Sequence, residues 1–319
     1  KYTDILEWAA WADKTVDYIP RTDKPDLGFR NLKRTLDQLR AINSATAGEW
    51  MIEVRDDLVI FEPVWGAPFV MEKLMGHKEV PESANLMESM RGTSKGVGKA
   101  VFASATLMGA EYIAETLGLP DGSWAYLDMP STFPVANRPI NYAPVDGMNA
   151  TKLSTFEGRE RMQDAIDELV YHYVMAGTPW GVVHAVSNKY RDFILTESRW
   201  SGIMVTTPDE HAKRVDAGEP SVLVAANVTE GWDGRDDLCR FVIMPKVPFP
   251  NLGDKRTKIR MQEDARSFDH RALVAIVQGA GRGVRHREDY CDTWILDKSW
   301  NMLYYKRRDW LPESFLDAY

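Results

Sequence analysis

An α/β fold, a parallel sheet with helices on both faces, is what this sequence predicts, and two observations carry the prediction. From residue 100 onward, short apolar and β-branched segments alternate with longer segments of helical period. The strand candidates are apolar along their whole length rather than at every second residue, which is the pattern of strands covered on both sides.

Along the chain, residues 1–48 read as helical, most clearly where Leu32, Leu36, Leu39 and Ile42 recur on one face. Residues 50–54 and 58–61 alternate around Arg55-Asp56-Asp57 and read as a short hairpin. Residues 77–98 lack a period, contain Pro81 and read as a loop. Strands are expected at 100–104, 140–145, 181–186, 202–206, 221–226, 240–245 and 292–296. Helices are expected at 108–117, 159–176, 188–195, 208–216, 256–264, 269–286 and 312–318. The helix over 159–176 is the best defined, with Met162, Ile166, Leu169, Val170 and Tyr173 on one face and Gly177 as its stop. Residues 118–139, rich in Pro, Gly and Asp, read as the crossing between two domains, 1–118 and 119–319.

Composition narrows the class. With 44% hydrophobic and 27% charged residues, the 319-residue chain is ordinary for a globular protein with a substantial core. No apolar run approaches the ~18–20 residues of a membrane span, and no basic-then-apolar leader is present, so a cytoplasmic protein is expected. Cys239 and Cys291, the two cysteines, fit a reducing compartment and cannot hold a metal cluster alone. The net charge of −8 is uneven: residues 240–308 hold 15 Lys/Arg against 8 Asp/Glu, an excess of seven that leaves −15 elsewhere. Such asymmetry fits one basic face that meets phosphates, and it equally fits a solvated surface.

Residues 278–285, Gln-Gly-Ala-Gly-Arg-Gly-Val-Arg, carry the most chemistry. Spacings of four and three residues put Gln278, Arg282 and Arg285 on one stripe of a helix, with Leu273, Ile276, Val277, Ala280 and Val284 on the other face. Guanidinium groups contact phosphate oxygens bidentately, which is what an arginine finger requires. Taken alone, the stripe has a second reading as a structural polar edge.

This octet resembles motif VI of superfamily 2 helicases, and its surroundings are similar to the XPD/DinG family of DNA helicases. Ala225-Ala-Asn-Val-Thr-Glu-Gly-Trp-Asp233 resembles motif V, followed by Arg240–Pro250 as a strand and proline-rich loop. Val101-Phe-Ala-Ser-Ala-Thr-Leu107 is similar to motif III, and Gly181-Val-Val-His-Ala-Val-Ser187 to motif IV. The order is the family's own, and the resemblance covers roughly residues 50–319. It implies that 119–319 is the second RecA-like motor lobe. Residues 1–118 would then hold the end of the family's arch insertion and of its first lobe.

The resemblance also implies ATP with Mg2+. The phosphate-cradling loop and the acidic metal motif belong to the first half of such a motor, as does the iron–sulfur cluster that many members hold, and neither sequence motif occurs here. Gly92–Ala100 imitates a phosphate loop, but its first glycine is one place early and Ala100 replaces the metal-binding hydroxyl. The chain therefore reads as the C-terminal half of a helicase, a fragment or a split subunit, with single-stranded DNA, ATP and an N-terminal half as partners and no membrane.

Roles carry over residue by residue. Arg285 is the first choice for the finger, with Arg282 beside it and Gln278 completing the catalytic set. Glu230, Gly231, Asp233 and Gly281 are assigned to the nucleotide, Gly231 for close backbone approach and the carboxylates to hold an arginine, a hydroxyl or water. Ser104 and Thr106 are similar to the hydroxyl pair that couples nucleotide state to DNA grip, and small hydroxyls at a strand end are also common caps. His184, Ser187, Thr229, Trp232, Lys246, Lys255 and Arg256 are assigned to DNA. Two readings stand for Trp232, stacking on a base or packing beneath its loop. Two stand for His184, a DNA contact or a satisfied core residue, and two for the basic segment from Lys255, a DNA track or a solvated helix. The functional expectation is an ATP-dependent DNA helicase half of 5′-to-3′ polarity, inactive as an ATPase alone; the rival is a non-catalytic binding module that kept the lobe. Decay of the octet would favour the rival, and both arginines are intact.

Overall fold

The structure, a computed structural model, describes residues 4–16, 27–40, 42, 50–55, 58–66, 99–226 and 232–319. The chain divides into two compact units, Lys1–Ala100 with Ala114–Ser123 and Asn251–Ala265, and Val101–Ile113 with Trp124–Pro250 and Arg266–Tyr319. The loop expected at 77–98 and the phosphate-loop imitation before residue 99 lie outside the described residues.

Walking the chain, α1 (Ile5–Val16) and α2 (Leu27–Arg40) are followed by β1 (Trp50–Arg55), β2 (Leu58–Pro63) and α3 (Ala110–Leu117). Then come β3 (Ile140–Asp146), α4 (Ala150–Ser154), α5 (Phe156–Met175), β4 (Trp180–His184), α6 (Asn188–Glu197), β5 (Met204–Val205) and α7 (Pro208–Asp216). The chain ends through β6 (Ser221–Ala225), β7 (Phe241–Met244), α8 (Lys255–Glu263), α9 (Arg266–Ala280), β8 (Asp292–Asp297), α10 (Ser299–Arg307) and α11 (Glu313–Leu316).

In the first unit, Ile5, Ala9 and Ala12 of α1 bury against Leu36, Leu39 and the following Ile42, three of the four residues of the apolar stripe, while Leu32 is exposed. The hairpin pairs antiparallel from Trp50↔Pro63 to Arg55↔Leu58. Helix α8 turns its basic side chains onto that hairpin: Lys255 Nζ donates to the Ile52 carbonyl at 2.7 Å, Arg256 pairs with Glu62 at 3.2 Å, and Arg260 donates to the Val64 carbonyl.

The second unit is built on six parallel strands in the order β3-β8-β7-β4-β6-β5. Alternate residues of each strand go to opposite faces. Val182, Leu223, Val242, Met244 and Ile295 enter one core with Leu273 and Ile276 of α9 and Trp300 and Leu303 of α10. Val183, Val222, Val224, Phe241 and Ile243 enter the other, with Met162, Ile166, Val170 and Tyr173 of α5 and Ile194 of α6. Both faces are covered, so the strands are apolar throughout, which is the signal the sequence carries.

Three expectations need correction. Residues 100–104 form no strand: Val101 is 94% exposed and no ladder pairs with the segment among the described residues. A β-branched run becomes a strand only where a neighbour accepts its backbone hydrogen bonds. The helix expected over 269–286 stops at Ala280. Gly281 N–H reaches the Val277 carbonyl at 3.1 Å, Arg282 N–H turns back to the Gly279 carbonyl at 3.3 Å, and the glycines beyond carry the full entropic penalty of helix with no side chain to offset it. Helix α10 is absent from the expected elements, because its two buried anchors, Trp300 and Leu303, make too short a period in a mixed aromatic and polar segment.

Gly181 on β4 packs against the ring of Phe241 on β7, where a Cβ would lie 2.5 Å from ring carbons. Gly181→Ala should therefore destabilise the second unit by about 1–3 kcal/mol, the usual cost of overpacking a rigid core. Denaturant unfolding followed by tryptophan fluorescence measures this; a wild-type midpoint would show that the Phe241 ring has room to move.

Candidate functional site

The tail of α9 carries the octet into a cavity of about 410 Å³ whose lining includes Thr106, Gln278, Gly281, Arg282 and Arg285. The residues left by the end of the helix no longer share one stripe, yet they converge on this space. Gln278 Nε2 donates to Thr106 Oγ1 at 3.2 Å, Thr106 N–H donates to Ser104 Oγ at 3.2 Å, and the two hydroxyls lie 3.3 Å apart. The hydroxyl pair thus touches the octet directly. Its segment is anchored by Met108, buried in the core, and by Tyr112, which stacks on Trp310 with centroids 5.2 Å apart. His270 Nε2 donates to the Met108 carbonyl at 3.1 Å, and burial lowers the pKa of this imidazole.

Each arginine has a distinct restraint. Arg282 donates from Nη1 to the Trp232 carbonyl at 2.6 Å, and Arg285 Nε pairs with Asp233 at 2.7 Å, both groups being partly exposed. Asp233 is therefore an arginine holder, one of the roles open to it. The Trp232 ring packs against the core and lies edge-on to His211 at 6.1 Å, with Gly234 pressed against it; packing beneath the loop is the arrangement observed. Thr229, Glu230 and Gly231 lie outside the described residues.

Asp289, fully buried, organises the tail, and the sequence alone gives it no role. Its Oδ2 accepts the backbone N–H of Arg285 at 3.1 Å and of Asp236 at 3.3 Å, while Oδ1 accepts from Arg240 Nη1 at 2.9 Å and from Tyr290 N–H at 3.0 Å. One carboxylate thus ties the octet to the loop after β6 and to the strand entry of β7. His286, whose pKa is raised chiefly by Asp236, pairs with that residue at 2.7 Å. Ligand atoms of Asp236, His286 and Asp289 lie within 4.8 Å of one another. Asp289 is saturated by N–H donors and His286 by its carboxylate partner, so this set does not fit the oxygen-rich shell of Mg2+. Gly283 packs against the Cys291 side chain and the Cys239 carbonyl; a Cβ there would meet Cys291 Sγ at 2.2 Å, so no larger residue fits at position 283.

A second carboxylate that sequence reasoning missed, Asp297 at the end of β8, accepts N–H groups from Met148 at 3.0 Å, Val247 at 2.9 Å and Ser299 at 2.9 Å. Lys246 donates to the Met148 carbonyl at 2.8 Å, and burial lowers its pKa against the pull of Asp297. Ser187 caps α6, accepting the Tyr190 N–H at 3.2 Å. His184 is buried beneath Gly279, near Arg282. Burial first and the arginine's charge second push its pKa down to about 4. The signal for Asp289 and Asp297 was a lone acid beside an apolar strand, where an ionised group survives only if backbone donors replace its solvation.

Residues 173–314 match the family model of the helicase C-terminal domain. The ATP-dependent DNA helicase CHL1 of Vanderwaltozyma polyspora is 30% identical over 29% of this chain and 14% of its own length. CHL1 of Eremothecium gossypii is 23% identical over 55% and 28%, and the ATP-dependent DNA helicase XPD of Sulfolobus acidocaldarius is 32% identical over 25% and 16%. The chain spans a minor part of each relative. A solved XPD helicase superposes with a TM-score of 0.51 at 15% identity, covering 95% of this chain and 62% of that one, a likeness of fold. The second unit has a RecA-like α/β fold, and the chain is similar to the C-terminal part of XPD- and CHL1-type DNA helicases. None of its described helices is long and apolar enough to cross a membrane.

The pKa of His184 sets a pH dependence. Above about 6.5 folded and unfolded chains both hold it neutral; as pH falls, the unfolded chain takes up a proton that the folded chain refuses until about 4, so stability is lost across that window. His184→Gln should lessen the loss between about pH 7 and pH 4.5 by about 1–3 kcal/mol, at ~1.4 kcal/mol per pKa unit. Urea unfolding at the two pH values tests it, and an unchanged pH increment in the variant would mean that His184 is protonated in the fold.

Proposed function

We propose that the chain supplies the second half of an ATP-dependent DNA helicase, with Arg285 and Arg282 as arginine fingers toward the γ-phosphate and Gln278 linking them to Ser104 and Thr106. The observation that carries this reading is the convergence of Gln278, Arg282, Arg285 and Thr106 on one cavity. Arg285, held ready by Asp233, exchanges a carboxylate for phosphate oxygens, and a planar guanidinium makes that exchange without losing its bidentate geometry. Gly281 and Gly231 let backbone approach the nucleotide, and Glu230 and Asp233 steer the arginines. Mg2+ accompanies ATP, with its ligands in the first half; when bound it neutralises phosphate charge. Gln278 transmits nucleotide state to the Ser104–Thr106 turn through its 3.2 Å hydrogen bond.

Single-stranded DNA, tracked 5′ to 3′, is a partner with Lys255 and Arg256 as its candidate phosphate contacts, and the N-terminal half is the obligate partner; His184, Ser187, Trp232 and Lys246 are held by core, cap and carbonyl contacts and drop out of the expected DNA set. Alone, the chain turns over ATP at background rate, because half of the nucleotide site lies in that partner.

With an N-terminal half supplied, Arg285→Ala should lower DNA-stimulated ATPase by roughly 10³–10⁵, the range of arginine fingers, and leave single-stranded DNA affinity unchanged. Wild-type turnover in this variant would reduce the octet to a structural edge. Lys255→Ala with Arg256→Ala should flatten the log–log salt dependence of DNA binding by roughly 0.7 for each phosphate no longer neutralised. An unchanged slope would confine both side chains to their hairpin partners.

A further inference from the structure

The cavity under the octet holds a charge pattern that Arg282 and Arg285 alone do not account for. Its lining, among the described residues, includes a third arginine, Arg138, and no aspartate or glutamate. Arg138 comes from the segment entering β3, far in sequence from the octet. Its Nε donates to the Phe133 carbonyl at 3.3 Å and its Nη1 to the Ser314 carbonyl. Two neutral acceptors fix the guanidinium plane and leave further N–H donors unused. No carboxylate pairs with it among the described residues. Arg282 is held by the Trp232 carbonyl and Arg285 by Asp233, so Arg138 adds to this concavity a positive charge that no described carboxylate offsets, and such a charge draws in and holds an anion.

The remainder of the wall is apolar, including Phe133, Ile140, Val277 and Phe315. A volume of about 410 Å³ lies within the usual range of a small-ligand pocket. Positive charge beside an apolar wall matches a small amphiphile with a polyanionic tail. Resting on the reading of Arg282 and Arg285 as phosphate ligands, we propose that Arg138 is a third anion-binding residue of this site, so that the second unit binds a nucleoside polyphosphate by itself. The phosphates lie among the three arginines and the nucleoside lies on the apolar wall.

Calorimetric titration of the 319-residue chain with ATP and with tripolyphosphate, EDTA present, tests this. Both should bind, and Arg138→Gln should weaken both at least tenfold. Arg138→Lys, which keeps the charge and loses the planar fork, should weaken them less. Wild-type affinity in Arg138→Gln with weakened binding in Arg282→Gln would overturn the role of Arg138 and leave the finger reading standing; wild-type affinity in both variants would overturn both. Absence of ATP binding by the unsubstituted chain overturns the proposal, as does competitive displacement of ATP by oligothymidylate, which would make the cavity a DNA site. If Arg138→Gln does not fold, Arg138→Lys decides: weakened ATP binding supports the role, and unchanged binding ends it.

Discussion

The placement of the arginines rests on the solvation of one buried charge. Asp289 has been taken out of water, and an ionised carboxylate there is tolerable only while protein donors replace its hydration shell. Those donors are the backbone N–H groups of Arg285, Asp236 and Tyr290 and the guanidinium of Arg240. Satisfying the carboxylate therefore fixes where the octet's tail runs after its helix has ended. Gly283, pressed on the Cys291 side chain and the Cys239 carbonyl, brings that tail onto the floor of the sheet between the two arginines. The Arg285 side chain leaves this fixed backbone toward Asp233, and Arg282 leaves it toward the Trp232 carbonyl.

Asp297 does at the other end of β8 what Asp289 does before it. By accepting three N–H groups it joins the loops that follow β3 and β7 to the start of α10. Both devices flank the same strand, second from the edge of the sheet, Asp289 before its entry and Asp297 at its end.

Most of the sheet was legible because its strands are buried on both faces: Val182 and Val183 go to opposite cores, and so do Val242 and Ile243. Helix α7 was legible to its ends: 208–216 is expected and Pro208–Asp216 is found, with Thr207 capping it and Pro208 in the first turn. Period alone failed at the octet. Leu273, Ile276 and Val284 keep a helical spacing and are buried, yet Val284 reaches the core from a turn, since burial constrains a side chain and not the backbone that delivers it. It failed again at Val101, where a strand-like run has no strand beside it. The restraints around the octet were not legible: Asp289 accepts from Asp236, Asp297 from Met148 and Val247, and Arg138 donates to the Ser314 carbonyl, all distant in sequence, and no spacing rule encodes such partners.

The central claim, that Asp289 acts by placing Arg285, is tested most directly by a double-mutant cycle on DNA-stimulated ATP turnover, in the chain paired with an N-terminal half. Asp289→Asn, Arg285→Ala and their combination would be compared with the unsubstituted pair at equal nucleotide saturation. The account predicts strong coupling: Asp289→Asn lowers kcat on its own and has almost no further effect once Arg285 is alanine. Losses that multiply independently would contradict it, because Asp289 would then serve catalysis by a route that does not pass through Arg285.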